Sequence, residues 1–383
     1  MDFAWSEEQQ ELRDAVIRFA RNQLGSDLIE RDRTHGFSRE AWTQCAEFGI
    51  QGLPIPQRYG GSGEDALTTV LAIEALGYGC RDNGLLFGIS AQLWSVEMPI
   101  LHFGTEPQRE RYLPRLCAGS WIGAHGMSEP DSGSDAFSLR THARRDGDGY
   151  VLNGTKTFVS NGPVADVYVI FATVDPTLGA LGITGFLIER DTPGLSVGRP
   201  IEKMGLRTSP MSEIILEDCR VPAECLLGRE GRGATTFNDS MEWERACILA
   251  GALGAMQRQL DVCVRYAHER QQFGRPIGDN QAISHRLANM AIRIEAGRLM
   301  LYRAAWLKQQ GKPASTAAAM AKVQISEAWI QSSLDAVQIH GGYGFTTEYE
   351  MERELRDSIG STLYSGTSEI QRAIIARSFG FGH

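Results

Sequence analysis

Hydrophobic positions in the first third of the chain recur at helical spacing. Behind Ser6, a suitable N-cap, the apolar positions of the first segment follow one helix face: Leu12, Ala15, Val16, Phe19 and Ala20. The segments "SREAWTQCAEFG" and "ALTTVLAIEALGYG" continue this pattern, and the loop "LPIPQRYGGSGED" separates them with glycine and proline. Thr105 and Gly119 bound a further short helix. The pattern predicts an N-terminal α-helical domain over residues 1–120.

Strand-like runs replace the helical pattern after Trp121. In "DGDGYVLNGTKTFVSNG", two short runs rich in Val, Thr, Tyr and Phe meet at Asn153-Gly154, which predicts a hairpin there, while "DGDG" indicates a turn. The runs "DVYVIFATV", "ITGFLIER" and "SEIILEDCRV" follow at strand length. Their short connections predict antiparallel pairing. We therefore expect a middle β domain over residues 121–228.

Long, alanine-rich segments that contain little proline follow "GREGRG". Such segments usually pack as a bundle, which predicts a C-terminal helical bundle over residues 229–383. The whole chain is then mainly α with a central β domain. The helical segments are expected near residues 234–269, 280–310, 314–340, 348–358 and 367–378.

Composition and charge narrow the class of protein. The formal net charge of −9 argues against a binding surface for nucleic-acid phosphates. The acidic start "MDFAWSEEQQE" has no apolar signal core, and we expect no segment of membrane-spanning length. The seven cysteines form no CxxC pair, so they indicate reduced thiols and no structural zinc site. We expect a cytoplasmic enzyme with no nucleic-acid or membrane partner and no metal.

Five stretches follow one another along the chain: "MSEPDSGSD", "LNGTKTFVSNG", "RQQFGRPIGDNQAIS", "DAVQIHGGYGFTTEYEMERELRD" and "LYSGTSEIQR". Together they resemble the acyl-CoA dehydrogenase superfamily of flavoproteins. The resemblance covers nearly the whole chain, and no GxGxxG follows a strand to indicate a Rossmann site instead. It implies the acyl-CoA dehydrogenase fold, with an N-terminal helical domain, a β-barrel-like middle domain and a C-terminal four-helix bundle. It also implies a homo-oligomer, tetramer or dimer, that shares its FAD sites between subunits.

The resemblance also implies which residues contact FAD. The Ser160 hydroxyl would lie near flavin N5, and Phe158 would supply an aromatic wall where many relatives have tryptophan. Gly341 lacks a Cβ, which permits close backbone approach to the pyrophosphate, and Thr367 opens a helix whose free N–H groups can bind phosphate or ribose oxygens. Taken singly, such residues are ordinary turn, core and surface positions. The implied set is Met127, Ser128, Phe158, Val159, Ser160, Arg270, Phe273, Gln338, Gly341, Gly342, Thr367 and Glu369.

The reaction implied by the resemblance is oxidation of an acyl thioester between its α and β carbons. A carboxylate removes the α proton while flavin N5 accepts the β hydrogen as hydride. Most members place that carboxylate immediately before the Gly-Thr of the last motif, where this chain has Ser365. An isovaleryl-type minority places it on the first helix of the C-terminal domain, before an arginine, and here Glu244 precedes Arg245. Glu244 is therefore the implied catalytic base, and the alternative is a surface carboxylate near a helix N-terminus.

Four further residues are implied to bind substrate. Arg245 would contact the substrate or orient Glu244, with an ordinary ion pair as the alternative. Ser365 would offer its backbone N–H to the thioester carbonyl. Glu242 would touch the substrate or a solvated rim. Ser134 would lie at the mouth of the site, with a role in shaping its loop as the alternative.

The "MEWER" run together with Ser365 is also similar to dehydrogenases that oxidise prolyl groups on peptidyl carrier proteins in antibiotic and other natural-product biosynthesis. This similarity favours an acyl or aminoacyl thioester on a carrier protein. Alternatives are a short- or branched-chain acyl-CoA substrate such as isovaleryl-CoA, a flavin oxidase on the same fold, and a catalytically silent flavoprotein. An electron-transfer flavoprotein or oxygen would accept the electrons. Trp243 and Tyr364 would shape the acyl pocket or fill the core.

A row of arginines in the C-terminal segment is a candidate contact for the phosphopantetheine arm of a carrier protein. Its 7-5-5 spacing does not keep to one helix face, so a solvated helix surface is the alternative. The row consists of Arg286, Arg293, Arg298 and Arg303.

Overall fold

The computed structural model describes residues 4–25 and 27–381, and its N-terminal part is helical as predicted. The predicted caps are confirmed: the Ser6 side chain accepts from the backbone N–H of Gln9, and Gly49 closes the third helix with φ 97°. Thr105 likewise caps the last helix of this region. The helices are α1 Glu7–Gln23, α2 Leu28–Thr34, α3 Arg39–Phe48, α4 Ala66–Gly79, α5 Asn83–Gln92, α6 Met98–Phe103 and α7 Glu106–Cys117.

The middle of the chain forms an eight-stranded sheet in the order β6-β7-β3-β2-β4-β5-β8, with β1 beside β4. The predicted antiparallel pairing holds for most neighbours, but β1 and β2 each pair with β4 in parallel. Short connections restrict strands that are adjacent in sequence, and these two pairs join strands that are not. The strands are β1 Gly123–Gly126, β2 His142–Asp146, β3 Gly149–Ser160, β4 Val167–Thr173, β5 Ile183–Glu189, β6 Leu195–Val197, β7 Met211–Pro222 and β8 Leu226–Leu227.

The hairpin predicted at Asn153-Gly154 is wrong. Strand β3 runs through both residues, and its pairing with β7 shifts register between Leu152 and Gly154. The hairpin turn lies earlier, in the "DGDG" stretch that was predicted to turn, between β2 and β3. Gly154 is needed for close approach, because a Cβ there would lie 2.4 Å from the Thr141 hydroxyl oxygen. The dipeptide therefore marks a bulge in a strand.

The C-terminal part is helical, with a small hairpin of β9 Gln271–Gln272 and β10 Arg275–Pro276. The segment predicted over residues 234–269 is two helices, separated at Ile248 and Leu249. The domain boundaries after residues 120 and 228 stay a prediction. The helices are α8 Gly233–Cys247, α9 Ala250–Glu269, α10 Gln281–Gln309, α11 Ser315–His340, α12 Met351–Ile359 and α13 Ser368–Arg377.

Helix α4 of the N-terminal part packs very closely against helix α9 of the C-terminal part. A Cβ on Gly77 of α4 would lie 2.0 Å from the carbonyl oxygen of Gly251 in α9, and a Cβ on Gly254 would lie 2.0 Å from the Glu74 carbonyl oxygen. Glycine at these positions lets the two helix backbones touch. The N-terminal helices are thereby fixed against the helices that follow the sheet.

The expectation that no segment reaches membrane-spanning length is wrong. The helical run Asn83–Phe103 is 21 residues long with a mean hydropathy of 1.3, which satisfies the length and composition of a span. In the structure, however, 83% of that window is buried inside the protein. The core helix of a folded domain meets the same criteria. The run therefore owes its apolar character to the core.

Candidate active site

A π-helical turn, Leu93–Glu97, joins α5 to α6 and packs against α8. Such wider turns are rare and occur frequently at functional sites. The turn stacks Trp94 parallel to Trp243 of α8, with ring centroids 5.9 Å apart and 3° between the ring planes. The next residue, Ser95, donates a hydrogen bond to the Glu244 carboxylate. The turn thus carries a polar contact to the predicted base.

The Glu244 carboxylate is buried and accepts a hydrogen bond at each oxygen. Ser365 Oγ donates to Oε1 at 2.5 Å, and Ser95 Oγ donates to Oε2. The residue is 8% exposed and lies in the last turn of α8, so the alternative of a surface carboxylate at a helix N-terminus is wrong. Burial raises the pKa of Glu244, while the bonds from Ser365 and Ser95 and the positive charges of Arg245 and Lys322 oppose that rise.

Residues 365 and 366 form a turn in the left-handed region, which we call the 365–366 turn. Ser365 has φ 57° and Gly366 has φ 86°, and a left-handed conformation is uncommon for residues other than glycine. Both carbonyls are held by Gln371 Nε2, at 3.0 and 2.9 Å. Arg245 Nε also donates to the Ser365 carbonyl at 3.3 Å, and Lys322 Nζ donates to the Gly366 carbonyl at 2.8 Å. These donors fix the turn that aims the Ser365 hydroxyl at Glu244.

Glu242 does not join this cluster. Residues two apart on an α-helix point about 200° away from each other, so Glu242 and Glu244 lie on opposite faces of α8. Glu242 instead pairs with Lys308 Nζ at 3.0 Å, and the same ammonium lies 4.5 Å from the ring centroid of Trp243. The contact of Glu242 with substrate, implied by resemblance, has no support in this geometry.

A small cavity of about 20 Å³ lies beside Tyr364. Tyr364 packs against Phe87 with ring centroids 4.6 Å apart, whereas Trp243 packs elsewhere, against the π-helical turn. Ile248, four residues after Glu244 and therefore on the same helix face, also lines the cavity. Most of the lining is apolar, with Asn83, Ser90 and the backbone as polar exceptions. A cavity of this size holds about one water molecule, so it does not set the size of the acyl group.

A bulge in β3 presents the aromatic residue predicted to face the flavin. The pairing of β3 with β7 shifts between Lys156 and Val159, and Phe158 has φ 56° and is 63% exposed. A bulge re-aims a side chain in this way. The backbone N–H of Thr157 donates to the Ser128 carbonyl at 2.9 Å, which brings the two predicted flavin-contacting segments together.

A buried ion pair supports the same surface. Lys156 Nζ lies 2.7 Å from Glu129 Oε1 and donates to the Met127 carbonyl at 3.1 Å. Met127 and Val159 are buried, and Ser160 is half-buried at the end of β3. The exposed Phe158 therefore projects from a rigid surface, as a residue that packs against a flat ring system should.

The segments predicted to bind the pyrophosphate surround an open pocket of about 510 Å³. Arg270 lies at its edge, 5.7 Å from the ring centroid of Tyr343. Gly341 and Gly342 line it, and a Cβ on either would meet open space. A guanidinium beside an open glycine turn suits an anionic phosphate group. These residues therefore fit the FAD that the resemblance implies.

The remaining residues predicted to contact FAD fall into two groups. Two are close in sequence to residues that line the pocket, and two lie at the start of α13. Gln338 is exposed in the last turn of α11, and Phe273 is 97% exposed in the hairpin after α9. Thr367 caps α13, accepting a hydrogen bond from the backbone N–H of Ile370 at 3.3 Å, and Glu369 is exposed in the first turn. A single chain thus presents Phe273, Gln338 and Glu369 on its surface, whereas the half-buried Thr367 directly follows the 365–366 turn.

Two other sequence predictions have different outcomes. Ser134 is exposed in the loop between β1 and β2, apart from the hydrogen bonds that hold Glu244. Three members of the arginine row pair with carboxylates, Arg286 and Arg293 with the buried Asp335 and Arg298 with Glu74. The fourth, Arg303, is exposed, and the contact of the row with a carrier arm stays a prediction.

Three residues that contact Glu244 or the 365–366 turn were not predicted from the sequence: Ser95, Gln371 and Lys322. Ser95 gave no signal, because the π-helical turn that aims it interrupts a run that reads as continuous helix. Gln371 lies in a stretch that was assigned to flavin binding. Lys322 did give a signal: it is a lone charge in the apolar run "STAAAMAKVQI", where a fully buried position is expected.

The sequence matches three consecutive domain families along its length. They are Acyl-CoA dehydrogenase, N-terminal domain, over residues 6–120, the middle domain over residues 124–219, and the C-terminal domain over residues 231–380. The chain is 44% identical over 378 residues to L-prolyl-peptidyl-carrier protein dehydrogenase of Pseudomonas fluorescens, covering 98% of this chain and 99% of that relative.

Solved structures are similar over the same extent. The prolyl acyl carrier protein oxidase AnaB is 52% identical with a TM-score of 0.98, covering 99% of this chain and 100% of that one. PigA with FAD and proline is 42% identical with a TM-score of 0.97, covering 99% of each chain. At these identities the chain shares its fold and also about half of its residues with these proteins.

Proposed function

The chain belongs to the acyl-CoA dehydrogenase family, and from that membership we propose that it is an FAD-dependent enzyme that oxidises a prolyl thioester held on a carrier protein. The observation that carries this proposal is the Glu244 carboxylate, buried and bonded to Ser95 and to Ser365, the residue that stands where most members have a glutamate. The similarity to proteins named for prolyl carrier-protein substrates supports the acyl group.

In this proposal Glu244 is the general base. Its ionised form removes the α proton of the thioester, and burial keeps water from competing for that proton. The raised pKa of Glu244 makes the carboxylate a stronger proton acceptor than an exposed one, and the serine bonds keep it ionised and oriented. Flavin reduction should therefore increase with pH as Glu244 loses its proton.

The neighbouring groups hold the substrate. We propose that the 365–366 turn offers the Ser365 N–H to the thioester carbonyl, and that Arg245 fixes the turn through the Ser365 carbonyl. FAD, when bound, accepts the hydride that completes oxidation of the acyl group. We propose that Phe158, Ser160 and the residues around Ser128 contact its ring system and that Arg270 and Gly341 contact its pyrophosphate.

Ser365→Ala should slow flavin reduction less than about tenfold, because it removes one side-chain hydrogen bond worth about 1 kcal/mol and keeps the backbone N–H. The lost bond also removes one of the contacts that oppose the raised pKa of Glu244, so the variant should need a higher pH to reach its maximum rate. Anaerobic stopped-flow traces across pH would measure both effects. A loss as large as that expected for removal of the base would make Ser365 essential and contradict this assignment.

Arg270→Ala should weaken FAD binding by about 10- to 100-fold, since it removes one charge-assisted contact worth about 1.5–3 kcal/mol. The pocket is open and Arg270 is exposed, so the fold should change little. The measurement is equilibrium binding of FAD to apoprotein, with circular dichroism as the control for folding. Wild-type affinity in the variant would remove Arg270 from the flavin site.

The product identifies the reaction. Prolyl-loaded carrier protein incubated with the enzyme and an electron acceptor should lose one or two pairs of hydrogens from its arm, measured by intact-protein mass spectrometry. Prolyl-CoA is the matched control for recognition of the carrier. An unchanged prolyl arm, together with oxidation of isovaleryl-CoA, would favour the branched-chain acyl-CoA alternative.

An oxidase is the second candidate, because AnaB is named as a prolyl acyl carrier protein oxidase. The two functions differ in what reoxidises the flavin. Rapid oxygen uptake with release of peroxide in the presence of prolyl-loaded carrier protein would establish the oxidase. Slow reaction with oxygen and fast transfer to an electron-transfer flavoprotein would establish the dehydrogenase.

A further inference from the structure

We propose that Lys322 is a positioning residue of this active site: a buried cation on α11 that holds the 365–366 turn and supplies positive charge that keeps Glu244 ionised. The proposal deepens the function argued above and rests on the role of Glu244 as the base.

Lys322 is buried to a degree that lysines rarely reach. It is 0% exposed in the middle of α11, and removal of an ammonium from water is costly unless it is compensated. Its Nζ donates to the Gly366 carbonyl at 2.8 Å and lies 5.9 Å from the ring centroid of Tyr364. Within residues 4–25 and 27–381, no carboxylate oxygen lies within 4.0 Å of this ammonium. The Lys322 ammonium therefore does not form a direct ion pair with a carboxylate of the described residues.

The charges that face Lys322 come from several elements. Burial lowers the pKa of Lys322 to about 8, and the Glu244 carboxylate on α8 opposes that shift more than the other charges do. Arg245, also on α8, lowers it further, while Glu369 of α13 and Glu327 of α11 raise it. The interaction is mutual, since the positive charge of Lys322 lowers the pKa of Glu244.

The two serine hydroxyls and the positive charge of Arg245 also lower the pKa of Glu244, and the Glu244 charge acts on the buried Tyr364 hydroxyl. Two cations therefore act on one buried carboxylate, and each also holds a carbonyl of the same turn. Arg245 binds the Ser365 carbonyl and Lys322 binds the next one along the chain.

This arrangement couples the shape of the turn to the charge of the base. The Ser365 hydroxyl reaches Glu244 only while the left-handed turn is maintained, and Lys322 contacts that turn from a third helix. A positive charge near a carboxylate favours its ionised form. Because only ionised Glu244 can accept the α proton, loss of the Lys322 charge reduces the active fraction at a given pH.

Two substitutions separate the charge from the hydrogen bond. Lys322→Gln keeps an N–H donor on a side chain one atom shorter but removes the charge, and Lys322→Met, which has the length of glutamine, removes both. Both should move the acidic limb of the pH profile for flavin reduction up by about one pH unit. Lys322→Met should also lower the plateau rate, by about tenfold, because the turn loses a donor to its carbonyl.

Lys308→Gln is the matched control. Lys308 is another largely buried lysine, but it pairs with Glu242 on the opposite face of α8. Its substitution should leave the acidic limb where it is in the wild type. A role of Lys322 in folding alone would change the melting temperature without moving that limb.

A second readout does not depend on turnover. Infrared titration of the FAD-loaded enzyme can follow the protonated-carboxyl band of Glu244, identified as the band lost in Glu244→Gln. That band should titrate at higher pH in Lys322→Gln than in the wild type. An unshifted band and limb would overturn the role of the charge, and an unchanged plateau in Lys322→Met would overturn the role in the turn. If no thioester reduces the flavin, the proposed function fails while the infrared titration still decides the effect of Lys322 on Glu244.

Discussion

Replacement of Glu244 with glutamine should slow anaerobic flavin reduction by about 10²-fold or more, the scale of removing a general base. Glutamine has nearly the size of glutamate; its amide oxygen can accept one of the two serine hydrogen bonds and its NH2 can donate to the other serine oxygen, but it cannot take the α proton. The FAD content and the affinity for the thioester should stay close to those of the wild type. Stopped-flow absorbance of the flavin measures the rate, and difference spectra measure substrate binding.

Glu242→Gln provides the comparison for that experiment. The substitution is chemically identical and lies two residues away, but Glu242 pairs with Lys308 on the opposite face of α8. A partly exposed ion pair contributes about 0–1 kcal/mol, so the rate should change less than about tenfold. If Glu244→Gln reduces flavin normally while Glu242→Gln or Ser365→Ala is crippled, the assignment of the base is wrong.

Glu97→Gln should make the protein more stable than the wild type by several kcal/mol at pH 8 and above, with a gap that shrinks toward acidic pH. Glu97 is 0% exposed, accepts a hydrogen bond from Gln92 Nε2 at 2.8 Å, and has no partner at Oε2 within the described residues. Burial raises the pKa of Glu97 from its ordinary 4.5 to about 8. The folded protein therefore holds a neutral acid at neutral pH.

The direction of the pH effect follows from that proton. Between pH 4.5 and about 8 the folded state keeps the proton and the unfolded state does not. The free energy of unfolding of the wild type therefore decreases across this window by about 1.4 kcal/mol per pH unit from this group. Glutamine cannot ionise, so Glu97→Gln lacks this contribution.

Melting temperatures of both proteins between pH 5 and 9 would measure the effect. Glu110→Gln, at an exposed position of α7, is the control and should run parallel to the wild type. A constant gap between Glu97→Gln and the wild type would show that Glu97 is not a buried neutral acid. Because Glu97 lies in the same π-helical turn as Ser95, the profile also reports on the turn that contacts the base.

Local signals in the sequence predicted most of the fold. Ser6, Gly49 and Thr105 end or begin helices at the predicted residues because capping depends on a few neighbouring groups. The error at Asn153-Gly154 has the opposite cause. Gly154 is required by its close approach to Thr141, a residue of another segment, so the residues next to Gly154 in the sequence do not indicate its role.

The residues of the candidate site likewise fall into those that a sequence motif predicted and those that only the fold brings together. Glu244 and Ser365 were found by resemblance, since each lies in a motif, and the structure brings them to 2.5 Å from each other. Ser95 and Lys322 reach the same place from other elements, and neither motif contains them. Glu242 and Glu244 are two residues apart in sequence but lie on opposite faces of α8, so the contact of Glu242 with substrate stays a prediction.

Anaerobic bleaching of the wild-type flavin by a panel of thioesters tests the central claim most directly. The panel is prolyl-loaded carrier protein, isovaleryl-CoA and butyryl-CoA, mixed separately with the FAD-loaded enzyme in a stopped-flow instrument. We predict complete, rapid bleaching by the prolyl carrier thioester and much slower bleaching by either CoA ester. Rapid bleaching by isovaleryl-CoA, with the flavin left oxidised by the prolyl carrier thioester, would contradict the account.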